Sequence, residues 1–95
     1  MTVEELKKEL ETIISGLTSS GFGSIGPETV EKLDKLAVTS GELDMKEGKR
    51  LIENLSGAMK AIKEGKSNTE SGNVRLTALD FYLRKLSVDG NIEDL

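Results

Sequence analysis

A chain of 95 residues and 10.3 kDa is long enough for one domain and too short for two. It has no Cys and no His, which excludes a disulfide scaffold, a thiolate zinc site, a thiol nucleophile and the commonest general base. With no Trp, one Tyr, two Phe and a net charge of −4, it has few platforms for stacked bases and little overall attraction for polyanions.

The chain opens on a helix start. Thr2 and Glu5 form the T-x-x-E capping box, in which hydroxyl and carboxylate each satisfy a backbone N–H that the first turn leaves unpaired. Leu6, Leu10, Ile13, Ile14 and Leu17 then fall on one face, which predicts a helix over 3–17. Glu4, Glu5 and Glu9 stand where a secretion signal needs a basic start and an apolar run. No stretch approaches the length of a membrane span, so the expectation is a cytoplasmic protein without a membrane partner.

Ser, Thr and Gly break the pattern over 18–26, and Pro27 reopens a helix at its first turn, where a missing N–H costs nothing. Val30, Leu33, Leu36 and Ala37 give this second helix, 27–40, its apolar stripe, and Gly41 reads as its stop. Asp44 and Glu47 repeat the capping pattern ahead of a third helix over 45–64. Its core face is Met45, Gly48, Ile52, Leu55, Met59 and Ile62, widened by Leu51 and Ala58. Gly65 ends that helix, with Lys60, Lys63 and Lys66 at the negative end of its dipole. Ser71, Gly72 and Asn73 read as a polar loop, followed by a fourth helix over 73–87 with Leu76, Leu79, Leu83 and Leu86. An acidic tail closes the chain at 89–95.

No segment alternates with period two, so the expected fold class is all-α: one compact bundle of about four helices spanning 1–95, with Gly- and Ser-rich connections. A helix followed by a Gly turn and an apolar plug occurs at 35–43 and again at 85–92, which turn chemistry alone explains. Charge is divided along the chain. Residues 1–44 hold four Lys against nine acids, net −5; residues 45–88 hold nine Lys and Arg against five acids, net +4; the tail adds −3.

Two motifs fail the context that their chemistry needs, and a third is weakened by interleaved acids. Gly21, Gly23 and Gly26 spell G-x-G-x-x-G, but a helix precedes them where a dinucleotide site needs a strand. Gly41, Leu43 and Glu47 match the second half of a calcium loop, yet its leading ligand positions fall on Leu36, Val38 and Ser40. Ala37 and Gly41 have the spacing of a helix-turn-helix, which makes the next helix a recognition element carrying Lys46, Lys49, Arg50, Lys60 and Lys63. Glu47, Glu53 and Glu64 interrupt that basic face. A histidine phosphotransfer bundle is similar in size and class, but its chemistry requires a His.

No catalytic set, cofactor site or metal site emerges. The Ser residues lack a recognisable base, and the carboxylates stand at caps and on polar faces. The sequon at Asn54 lies mid-helix in a chain without a secretion signal. Gly57 interrupts the polar face of the third helix, where a close backbone approach by a partner would explain it. Phe81 and Tyr82 are adjacent and cannot both face the core, and Phe22 lies in a Gly-rich loop. Exposed aromatics are favoured interface anchors, so Phe22, Gly57, Phe81 and Tyr82 are the candidate contact residues. The expectation is a small non-catalytic module that binds another protein or a second copy of itself, as adaptor or subunit. The alternative is a nucleic-acid-binding accessory protein that uses the basic face of the third helix.

Overall fold

The computed structural model describes residues 1–22 and 26–86. Among them are four α-helices and no strand: α1 (Val3–Ser20), α2 (Pro27–Glu42), α3 (Lys46–Lys63) and α4 (Thr69–Lys85). The expected tail at 89–95, its Gly90 turn, and Gly23 and Ile25 lie outside the described residues.

The capping box forms as the sequence predicts. Glu5 N donates to Thr2 Oγ1 at 3.1 Å and Thr2 N to Glu5 Oε1 at 2.9 Å. The helix runs three residues past the expected Leu17, and Gly21 closes it at φ 75° with its N–H on the Leu17 carbonyl. Here a left-handed turn requires the glycine.

The α2–α3 junction departs from expectation. Gly41 does not stop α2, which continues through Glu42. The left-handed position falls on Asp44 at φ 62°. Asp44 N reaches Gly41 O at 3.1 Å and Met45 N reaches Ser40 O at 2.9 Å, the paired bonds of a Schellman turn. Asp44 therefore ends α2 and does not cap α3. The N-cap position is Met45, which has no oxygen to offer, and Glu47 pairs with Arg50 instead of reaching back. The reason is length: residues 43–45 must finish one helix and begin the next, leaving no room for a separate cap. The buried Ser40 hydroxyl secures the turn by donating to Met45 O at 2.9 Å. At the end of α3 the same turn recurs with the expected glycine, Gly65, at φ 77°.

Helix α4 begins four residues earlier than its apolar pattern suggests. Asn68 Oδ1 caps it by accepting from Ser71 N at 3.1 Å. Ser71, Gly72 and Asn73 are helical, not a loop. Gly72 serves close approach: a Cβ there would meet Ile62 Cδ1 at 2.8 Å and Phe22 Cζ at 2.9 Å.

Helix α3 lies between α2 and α4, and α1 packs across α2 and α4 to close the bundle. Leu6, Leu10, Leu33, Ile52, Leu55, Met59, Leu79 and Leu83 form its fully buried centre. A polar clamp reinforces the α2–α3 seam. Ser56 Oγ, itself 1% exposed, donates to Asp34 Oδ1 at 2.6 Å, and Lys60 Nζ donates to Asp34 Oδ2 at 3.1 Å.

Candidate interaction groove

Helix α4 is apolar on two faces. Leu76, Leu79 and Leu83 point into the bundle, while Val74, Ala78 and Phe81, spaced i, i+4, i+7, line up along the outer side. Val74 is 61% exposed and Phe81 58%. Leu51 on α3 is half-buried beside them, and together these residues line an open groove of about 520 Å³ between α3 and α4. Small-molecule and peptide sites have this volume and this apolar character.

Charge is confined to the groove's margins. Glu47 and Arg50, one turn apart on α3, pair with each other on one rim. Arg84 is paired with Asp80 at 3.1 Å. Lys85 Nζ stands 5.1 Å from the centroid of the Phe81 ring, a cation–π contact, and has no ion pair among the described residues.

Tyr82 forms the inner wall. It is 3% exposed, and its hydroxyl is buried without a hydrogen-bond partner among the described residues. The phenol lies against Gly48, where a Cβ would stand 3.1 Å from Tyr82 Oη. Burial pushes the phenol pKa above its usual value; the nearby Gly48 backbone pulls it back without meeting hydrogen-bond geometry, and the Glu47 charge adds to the rise.

Of the four candidate contact residues, the structure brings Phe81 and Tyr82 together and leaves the other two elsewhere. Only Phe81 is a projecting anchor; Tyr82 belongs to the core. Phe22, 6% exposed, is also a core residue, folded back from its loop against Gly72. Gly57 lies on the exposed face of α3 with nothing within 4 Å of its missing Cβ. Val74, Leu51 and Lys85 lie outside that candidate set; the i, i+4, i+7 spacing of Val74, Ala78 and Phe81 is the sequence signal for the outer stripe.

The basic face of α3 is less continuous than its spacing suggests. Lys60 is held by Asp34 and Arg50 by Glu47. Lys46, Lys49 and Lys63 are exposed and lack an ion pair among the described residues, and the Lys49 chain lies along Gly41. Ser56, Asp34 and Lys60 are the nearest approach to a nucleophile with a charged neighbour. Ser56 is buried, and the trio clamps α2 to α3. Among the described residues no helix is long and apolar enough to cross a membrane, and no group of three or more acidic side chains is placed to hold a metal. Comparison with family models, with curated proteins and with solved structures finds no match to this chain.

Proposed function

We propose that this protein is a non-catalytic interaction module of the cytoplasm that binds another protein through the α3–α4 groove, as an adaptor or as a subunit of a larger assembly. One observation carries the reading: Val74 and Phe81 project from a helix whose opposite face already fills the core. Fully burying such a side chain against a partner is worth about 1.5–3 kcal/mol, and aromatic anchors set in apolar clefts dominate many interfaces. Co-purification from native expression tests it, comparing the wild type with Phe81→Glu and with Val38→Glu, a charge placed at another exposed apolar site on α2. A partner retained by wild type and Val38→Glu but lost from Phe81→Glu supports the groove. A partner retained equally by all three contradicts it.

A second reading rests on the exposed Lys46, Lys49 and Lys63 of α3. Duplex DNA or RNA bound at these lysines would be released steeply by salt, since each phosphate contact displaces a counterion. Anisotropy of a labelled duplex at about 50 and 200 mM salt decides it, because several phosphate contacts change affinity by orders of magnitude across that range. Binding that survives Lys49→Glu/Lys63→Glu would remove α3 from the account.

A further inference from the structure

We infer that α1 is a strap: it opens as a unit from a core of α2, α3 and α4 that stays folded, and opening uncovers the faces of α2 and α4 on which it lies. The inference is independent of the α3–α4 groove and of what the groove binds.

The four helices are not joined alike. Small residues bring α2, α3 and α4 close together. Gly48 of α3 lies against Ser40 of α2 and Tyr82 of α4, and Gly72 of α4 lies against Ile62 of α3. Polar bonds add register to these contacts. The buried Ser56 hydroxyl donates to Asp34 Oδ1 at 2.6 Å across the α2–α3 seam, and Ser40 Oγ donates to Met45 O at 2.9 Å beneath the turn. Connections of three residues, 43–45, and five, 64–68, complete this unit.

Helix α1 is attached by other means. Its buried residues, Leu6, Leu10, Ile13, Ile14 and Leu17, are all apolar, and it packs on α2 and α4. Apolar burial of this kind is non-directional. The ion pair from Lys32 to Glu9, at 2.6 Å, joins half-exposed groups and is screened by solvent. The hydroxyls of Thr12 and Thr18 turn back to the Lys8 and Ile14 carbonyls of their own helix, at 3.0 and 2.9 Å.

The second half of α1 is its weaker half. Leu17 alone among residues 12–20 belongs to the strong helix formers. Gly16 has nothing within 4 Å of its missing Cβ, so no close approach offsets its low propensity. An open cleft of about 280 Å³ runs beside Ile13, Gly16 and Leu17, towards Thr29 on α2. Side chains that border such a gap forgo packing contacts. The six residues 21–26 that join α1 to α2 can span roughly 20 Å when extended, so α1 can lift away while still tethered. Opening returns conformational entropy to its 18 residues and leaves the Ser56–Asp34, Gly48–Tyr82 and Gly72–Ile62 contacts in place. Elements that move in regulation come from this low-stability end of a fold.

Native-state hydrogen exchange of the full chain, read by NMR at rising sub-denaturing urea, tests the strap. The slowest amides of α1, at Leu10, Ile13 and Ile14, are expected to open about tenfold or more often than those of α3 at Ile52, Leu55 and Met59. Their urea dependence is expected to be weaker, because opening α1 exposes less surface than global unfolding. Asp34→Ala separates the two events, since the Asp34–Ser56 bond is present in both the closed and the α1-open forms. The variant is expected to speed exchange in α3 about fivefold and to leave α1 unchanged. Equal rates and urea slopes in α1 and α3, or an acceleration by Asp34→Ala that α1 shares, would show one cooperative unit and overturn the inference. Exchange in which the slowest amides of α4 open more often than those of α1 would overturn it as well.

Discussion

The Cβ that Gly48 lacks would stand 3.1 Å from Tyr82 Oη and equally close to Tyr82 Cε2, with Ser40 Oγ 3.0 Å away on the other side. Helices α2, α3 and α4 therefore converge on one missing methyl group, and the inner wall of the groove is set by that convergence. Gly48→Ala gains helix propensity of up to about 1 kcal/mol. It also overpacks a junction where such strain costs about 1–3 kcal/mol. A net loss of roughly 1 kcal/mol is expected in urea unfolding, with Tyr82→Phe relieving part of it. An unchanged or raised midpoint would show that the three helices separate easily.

Tyr82→Phe alone addresses the buried hydroxyl. An unpaired buried polar atom costs about 1–3 kcal/mol, and replacing it with an apolar edge of the same shape is neutral to stabilising. The variant is expected to melt at or above the wild-type temperature. The phenol pKa is raised in the fold, so its contribution is fully present below the ordinary value near 10 and is lost as pH rises through the higher folded value. With one Tyr in the chain, tyrosinate absorbance reports that group alone. Alkaline destabilisation above pH 10 should be smaller in Tyr82→Phe; an identical alkaline limb in both proteins would contradict the assignment.

Asp34 has the opposite sign. The Ser56 hydroxyl, and after it the Lys60 ammonium, outweigh partial desolvation and hold its pKa below the usual 3.8. The stability it contributes is present above that value and is lost as pH falls through the lower folded pKa. Asp34→Ala is expected to cost about 1 kcal/mol, the lower end for an orphaned hydroxyl, since Ser56 can turn back to its own helix carbonyls. Calorimetry at pH 7 and pH 2 should show the variant's deficit shrinking in acid.

The two Schellman turns offer an internal comparison. Gly65 occupies the left-handed position after α3, and Asp44 occupies it after α2. A left-handed L-residue carries a penalty of roughly 1–2 kcal/mol that glycine avoids, less for Asp than for most residues. Asp44→Gly is therefore expected to stabilise by about 0.5–1 kcal/mol, and Gly65→Ala to destabilise by about 1 kcal/mol. A destabilised Asp44→Gly would mean that the Asp44 side chain contributes more than its backbone angle costs.

What was legible in the sequence follows from which signals are local. The capping box at Thr2, the Pro27 start, the Gly65 stop and the four apolar stripes are decided within a turn or two of chain, and the helices form where those signals place them. The errors lie where tertiary contact overrides local chemistry. Gly72 reads as a breaker, yet in the fold it admits Phe22 and Ile62; Gly41 reads as a stop, yet the stop moves to Asp44 because Ser40 is needed beneath the turn. At the candidate groove the adjacency of Phe81 and Tyr82 correctly implied that one must leave the core. Which one, and that Val74 and Leu51 would join it, depends on the α3–α4 packing that no single helix encodes.

The most direct test uses the absence of cysteine. Ala78→Cys places a unique thiol in the groove and Gly57→Cys places one on the exposed face of α3. Each carries a short photo-crosslinker into extract of the native cell. The account predicts one dominant protein adduct at position 78, competed away by excess wild-type chain but not by Phe81→Glu, and no matching adduct at position 57. Adducts equal at both positions, or competed equally by Phe81→Glu, would contradict the groove as the site of binding.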